Sequence, residues 1–246
     1  MALKAVFFDI DDTLFSTTQF ARIARWNAVK AMCRAGLDMP PEEVLRELEE
    51  VIAEFSSNYD QHFDQLLRRL APQSKGRVNP ALIVAAGVVA YHDTKFRELA
   101  PFPDVLPLLE VLSSAGVKCG VITHGLRIKQ AEKLIRLGVL PYLDPMAIYI
   151  SDQIGISKPN PKLYGYALQD QQLIPREVLY VGDNPAHDIL PPQSLGMRTV
   201  WARRASKFKL EDINARPTHI VDDFEQLRDI LQLEYGVGEG PLRRTS

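Results

Sequence analysis

Cysteine is nearly missing from this chain. Cys33 and Cys119 are the only two among 246 residues, too few for a disulfide framework, and they read as small buried hydrophobes in a reducing compartment. An excess of one charge is missing as well: 29 basic residues against 31 acidic leave a formal net charge of -2. With the basic residues scattered, there is no electrostatic footprint for nucleic acid. Long hydrophobic runs are also lacking. The longest, Ala81 to Ala90, falls far short of the roughly 18 residues that a membrane span needs. The few apolar residues before Asp9 are too short for the hydrophobic region of a secretion signal. Together these absences predict a soluble, cytoplasmic protein that takes neither nucleic acid nor membrane as a partner. No internal repeat is visible.

What remains is an ordinary globular composition, 46% hydrophobic and 24% charged, with length enough for a core domain plus an insertion. Lys4 to Phe8 is a short apolar strand, nearly continuous in hydrophobicity, of the kind that is buried on both faces. Val117 to Ile122, Met146 to Ile150, Val178 to Val181 and Thr199 to Ala202 repeat the pattern, with His219 to Val221 a shorter candidate. Between them lie helical stretches such as Asp104 to Ala115, ended by Gly116, and Leu126 to Leu137, ended by Gly138. This alternation predicts an α/β core, a Rossmann-like parallel sheet flanked by helices.

Residues 16–100 break the rhythm and read as all-helical. Pro41-Glu-Glu43 opens a helix with Val44, Leu45, Leu48, Val51, Ile52 and Phe55 on one face. Phe63, Leu66, Leu67 and Leu70 make a second stripe, and Leu82 to Phe96 is a third helix, apolar enough to be mostly buried. Pro101-Phe-Pro103 marks the return. The expected division is therefore a core domain over 1–15 and 101–235, an inserted helical domain over 16–100, and a disordered, glycine-rich tail over 236–246.

Four short pieces stand at or near the ends of these strands. They are Asp9-Ile-Asp11-Asp-Thr13, Val121-Ile-Thr123-His-Gly125, Lys158-Pro159, and Gly182-Asp183 followed by Asp188. Each alone has a plainer reading. Asp-x-Asp is common in turns and helix caps, an isolated lysine is usually a solvated charge, and Asp188 could be a first-turn acid facing a helix dipole. In this order and spacing, however, the four pieces resemble the haloacid dehalogenase-like superfamily, in its phosphatase branch with an inserted helical cap (subfamily I). The likeness covers residues 4–233.

The resemblance implies a set of roles. Asp9 is the nucleophile that takes the phosphoryl group as an aspartyl-phosphate, and Asp11 protonates the leaving alkoxide and then activates water. Lys158 neutralises the phosphoryl oxygens. The metal ligands are the side chains of Asp9 and Asp183 and the backbone carbonyl of Asp11, with Asp188 holding a metal-bound water or Lys158. Asp12 has no role in the pattern and is expected to be solvated or capping. Four carboxylates and a substrate phosphate converge with one lysine in this picture, so a hard divalent cation is needed, and Mg²⁺ fits oxygen ligands. The Thr123 hydroxyl and nearby backbone N–H groups can donate to phosphoryl oxygens, or Thr123 can cap the helix beginning near Leu126. His124 stands where the family often carries Asn or Asp. It either joins the phosphate site and tunes substrate choice or is a bystander.

The expected activity is thus hydrolysis of a small phosphate monoester, with a cap that closes over the cleft. Tyr91, His92, Lys95 and Phe96 are candidates for choosing the substrate, and a homodimer through the apolar cap face is a further expectation. Rival readings stay open. A 2-haloacid dehalogenase shares the fold, but its family lacks an acid at the place of Asp11. A phosphosugar mutase shares the core chemistry. Phosphonate hydrolysis would want a cap lysine in a motif that Lys30 and Lys95 do not show. A phospho-accepting receiver domain has no counterpart for the helical insertion, and a non-catalytic scaffold would typically have lost one of the acids.

Overall fold

A computed structural model describes residues 2–56, 59–209 and 214–238. The chain forms two compact units, Thr17–Leu99 and the remainder, Met1–Ser16 with Ala100–Ser246. It opens with β1 (Ala5–Phe8) and then leaves for four helices, α1 (Thr17–Arg34), α2 (Pro41–Phe55), α3 (His62–Arg69) and α4 (Pro80–Glu98).

In the helical unit, α2 begins as its sequence dictates, with proline in the first turn and Glu42 and Glu43 beside the positive helix end. Its Val44, Leu48 and Val51 meet Val29 and Met32 of α1, Leu66 and Leu67 of α3, and Ile83 of α4 in one core. Leu45 and Ile52 pack against the margin of that core. Phe55, expected on the same face, is 39% exposed, so the buried stripe stops a turn early. The larger correction concerns α4. Asn79 caps it, its side-chain oxygen accepting from the Ala81 N–H at 3.0 Å, but the helix is not mostly buried. Leu82, Val89 and Phe96 are 61%, 57% and 77% exposed. Only Ile83, Gly87 and Thr94 are buried, because α4 lies along α1 through a single narrow face.

The return to the first unit is tied to the departure: the Phe102 N–H donates to the Leu14 carbonyl at 2.9 Å. The chain then alternates through α5 (Val105–Ser114), β2 (Lys118–Thr123), α6 (Arg127–Arg136), β3 (Ile148–Ile150), α7 (Ser151–Ile154), α8 (Pro161–Asp170), β4 (Val178–Gly182), α9 (Leu190–Ser194), β5 (Arg198–Ala202), β6 (His219–Val221) and α10 (Phe224–Tyr235). The six strands make one sheet, ordered β3-β2-β1-β4-β5-β6, with every pairing parallel. The central strands are buried along their length, as their unbroken apolar sequences require. On one face Phe7, Tyr149 and Tyr180 pack against Leu163 and Tyr164 of α8. Gly236 ends α10 in the left-handed conformation, and residues 239–246 of the expected tail lie outside the described residues.

This strand order positions the site. From β1 the chain builds outward on one side through β2 and β3, and on the other through β4, β5 and β6. Where the order reverses, the connections leave β1 and β4 in opposite directions and open a crevice beyond their carboxyl ends. Phe8 is level with Val181 of β4 and Val121 of β2. The residues following all three strands therefore arrive together. No helix among the described residues is long and apolar enough to cross a membrane.

Candidate active site

Asp9 follows β1 directly, its N–H still paired to the Val181 carbonyl at 2.9 Å. Asp183 follows β4, and Asp188 lies one π-helical turn further on, in Pro185–Ile189. That turn starts at Asn184, whose side chain accepts from the Ala186 and His187 N–H groups at 3.1 and 3.3 Å. It folds Asp188 back so that its carboxylate accepts from the Asn184 N–H at 3.0 Å. Gly182 makes this possible, since a Cβ there would sit 2.4 Å from the Asp188 carboxyl carbon. As a result Asp9, Asp183 and Asp188, all buried, each bring a carboxylate oxygen to within 4.8 Å of the others.

Lys158 enters this cluster from the turn before α8. That helix is capped by Asn160, whose side chain accepts from the Lys162 N–H at 3.0 Å, and the Lys158–Pro159 peptide bond is cis. The ammonium has three hydrogens to place and three acceptors: Asp9 Oδ1 and Asp188 Oδ1, each at 2.8 Å, and the Tyr180 hydroxyl at 2.7 Å. Tyr180 in turn donates to the Ile122 carbonyl at 2.7 Å, which leaves its oxygen free to accept from the lysine. Tyr180 was not among the residues the sequence singled out. It sits inside the apolar strand Val178 to Val181, and nothing in the pattern marks its hydroxyl as inward and bonded.

The electrostatics follow from burial. The Asp9 carboxyl is pushed up to about 6, chiefly by loss of water, with Lys158 opposing the rise and Asp188 and Asp11 adding to it. Asp183 is pushed further, to about 9, by burial first and then by Asp188, Asp9 and Asp12. Burial alone would lower Lys158, but the carboxylates of Asp188 and Asp9 outweigh it and hold the ammonium above the ordinary lysine value. One ammonium among three buried carboxylates therefore leaves an excess of negative charge, which raises the cost of ionising Asp9 and Asp183. A small cation preferring oxygen ligands suits such a group: the donors are hard, close together and undercompensated.

Asp11 is placed differently. Its carboxylate lies outside the three-acid cluster and faces α6, where Lys133 Nζ reaches Oδ1 and Oδ2 at 2.6 and 2.7 Å and Gln130 Nε2 reaches Oδ2 at 2.9 Å. Thr123 ends β2 fully buried, and its hydroxyl lies 3.4 Å from the same Gln130 nitrogen. Thr123 does not cap the following helix. Leu126 occupies that position with no side-chain bond, and the Arg127 N–H donates instead to Asp152 Oδ2 at 3.0 Å. Among the backbone groups near Thr123, the Gly125 N–H is directed to Ser151 Oγ at 3.0 Å. The exposed ring of His124 meets the Ser157 hydroxyl at 2.8 Å through Nδ1. Asp12 is a correction: it is 7% exposed, in a left-handed turn with φ +53, and 3.5 Å from Lys207 Nζ. The tight turn from β1 folds it inward, so it is neither solvated nor a helix cap.

Comparison with known proteins agrees with this geometry. The profile of the haloacid dehalogenase-like hydrolase family matches residues 6–202. A glyceraldehyde 3-phosphate phosphatase of Methanopyrus kandleri is 46% identical over 225 residues, 91% of this chain and 92% of that protein. One from Methanocaldococcus jannaschii is 37% identical, covering 94% of this chain and 97% of its own. Among solved structures, a phosphatase of the same superfamily from Thermococcus onnurineus superposes with a TM-score of 0.65 at 25% identity, over 93% of this chain and 97% of the other. This chain belongs to the haloacid dehalogenase-like hydrolase family, in its phosphatase branch.

Proposed function

We infer that the protein is a Mg²⁺-dependent phosphatase of a small sugar-phosphate monoester, with glyceraldehyde 3-phosphate as its substrate. The substrate rests on the two relatives above, whose likeness runs through nearly the whole chain. The chemistry rests on one observation: a buried Asp9 held by Lys158 inside a cluster of carboxylates that only added positive charge can relieve. Asp9 and Asp183, with the Asp11 backbone carbonyl, are the ligands this reading assigns to Mg²⁺, and Asp188 supports Lys158 from the other side. Bound there, Mg²⁺ supplies the charge that lets the carboxylates stay ionised beside a phosphate and draws electron density from phosphorus.

Asp9 attacks phosphorus through a carboxylate oxygen. The bond from phosphorus to the ester oxygen breaks, and Asp11 gives that oxygen its proton. Water then attacks the aspartyl-phosphate and loses a proton to Asp11, releasing phosphate and restoring Asp9. Lys158 offsets the charge on the phosphoryl oxygens, and Thr123 and His124 complete the phosphate site. The helical unit serves as the cap in which the substrate is chosen, with Tyr91, His92, Lys95 and Phe96 as the first positions to vary. A cytoplasmic location and self-association through this unit belong to the same reading.

The test is phosphate release over a panel of sugar phosphates, nucleoside monophosphates and phosphoglycolate. Glyceraldehyde 3-phosphate should be hydrolysed fastest. Chelation of divalent cations should abolish turnover, and Asp9→Asn should lower kcat by about 1,000-fold or more. Turnover surviving in Asp9→Asn removes the nucleophile. Faster release from another ester removes the assigned substrate while leaving the chemistry standing.

A further inference from the structure

Two side chains outside the four motif pieces converge on Asp11. Gln130 and Lys133 are three residues apart on α6, so they project from the same side of the helix. Lys133 spans both carboxylate oxygens, and its ammonium lies 5.8 Å above the Phe15 ring. Gln130 is 2% exposed, and its single nitrogen serves Asp11 Oδ2, the Thr123 hydroxyl and the His124 carbonyl. The amide orientation is set by its neighbours, because the reverse would turn its oxygen against a carboxylate and a carbonyl. Its own Oε1 is buried without a hydrogen-bond partner. An apolar side chain would avoid that loss. What favours an amide here is therefore what its N–H groups hold. Gly125 leaves the room: with φ +135, a Cβ there would lie 2.8 Å from the Gln130 nitrogen.

We propose that Gln130 is a positioning residue that ties the Asp11 carboxyl to the end of β2, and that Lys133 steadies the same carboxyl from the next turn of α6. The amide links the group that moves the proton to the strand end that receives the phosphoryl group, so the two keep one spacing through the cycle. Gln130 is neutral and can donate to Oδ2 whether or not Oδ1 carries a proton. Lys133 pairs with the ionised form, the form that accepts a proton from water in the second step. No proton leaves either residue. The proposal rests on the reading of Asp11 as acid and base, and predicts that damage at Gln130 is felt only through Asp11.

The experiment compares kcat/KM for an alkyl phosphate, whose alkoxide needs the proton from Asp11, with that for p-nitrophenyl phosphate, whose phenolate leaves without it. The variants are Gln130→Met, Lys133→Met, Asp11→Asn and Gln130→Met combined with Asp11→Asn. Because kcat/KM covers events only through formation of the aspartyl-phosphate, the shared hydrolytic step drops out. Gln130→Met should lower the alkyl value by about 10- to 100-fold and the aryl value by less than about 3-fold. Lys133→Met, which removes the partner of the ionised form, should leave both kcat/KM values within about 3-fold of the parent and lower kcat where hydrolysis of the aspartyl-phosphate limits turnover. In the Asp11→Asn background, Gln130→Met should cost nothing further. Equal losses on both esters, or an undiminished loss in that background, would overturn the proposal in favour of a packing role. If Asp11→Asn itself lowers both esters equally, the acid assignment under the proposed function fails instead. The far-ultraviolet spectrum and melting temperature of each variant separate any of these results from unfolding.

Discussion

The two units of this molecule treat burial in opposite ways. In the α/β unit Asp9, Asp12, Thr123, Gln130, Lys158, Asp183 and Asp188 are all buried. In the helical unit Thr94 is the one buried polar side chain among the described residues. It is fully served, donating to the Ala90 carbonyl at 2.7 Å and accepting from Asn27 Nδ2 at 3.1 Å. Meanwhile α4 leaves Leu82, Val89 and Phe96 outside. Removing charge from water is costly unless it is paired. The α/β unit accepts that cost at one place, beyond the ends of β1 and β4, and the surplus of carboxylates there is the feature on which the proposed chemistry rests.

The sharpest way to break the contrast is to remove the one cation in the cluster. Lys158→Met leaves Asp9 and Asp188 buried without their shared partner. It should destabilise the metal-free protein by about 3–5 kcal/mol in denaturant titration, with turnover lost. A variant as stable as the parent would mean that the ammonium does not hold the cluster.

A smaller effect of definite sign is expected from pH. Asp9 and Asp183 have folded-state values raised to about 6 and about 9, above the ordinary 3.8. Between 3.8 and those values the folded protein keeps protons that the unfolded chain gives up. Their contribution to stability is therefore complete below pH 3.8 and is lost progressively as pH rises to about 9. On the proposed reading saturating Mg²⁺ would take over from the protons, so the rise in melting temperature it causes should be larger at pH 8.5 than at pH 5.5. An equal rise at both values would separate cation binding from these two groups.

The smallest effect belongs to the helical unit. Val89→Ser, on the exposed side of α4, should shift stability by less than about 0.5 kcal/mol. A loss of about 2 kcal/mol or more, growing steeper on dilution, would show that this face is covered in solution by a second copy.

Much of the fold was legible because strands buried on both faces cannot hide their composition. The β1 and β4 segments read as unbroken apolar runs and β2 and β5 as nearly so, and glycines after α5 and α6 marked where those helices stop. The polar strand-end residues could be placed because order and spacing survive where single residues are ambiguous. What escaped notice did so for physical reasons. The polar atom of Tyr180 lies at the tip of a hydrophobic ring, so the residue passes for core. Gln130 and Lys133 look like the solvated side of an amphipathic helix until the sheet brings β1 against them. Asp12 turns inward through a backbone conformation that sequence does not announce. The α4 segment is more exposed than its sequence predicts because apolar composition measures what could be buried, whereas burial also requires neighbours. The helix α1, in which Arg22, Arg25 and Lys30 mix with apolar residues, has no clear stripe and was never singled out.

The hydrogen bond between the Phe102 N–H and the Leu14 carbonyl closes the chain's path just where the helical excursion starts and finishes. A stitch at that point makes the excursion a detachable loop in topological terms. The strands that pair in the sheet all lie outside the span between those two residues. Such a fold can exchange its helical insertion as a unit, and grafting a foreign insertion between positions 16 and 100 is the engineering route it invites.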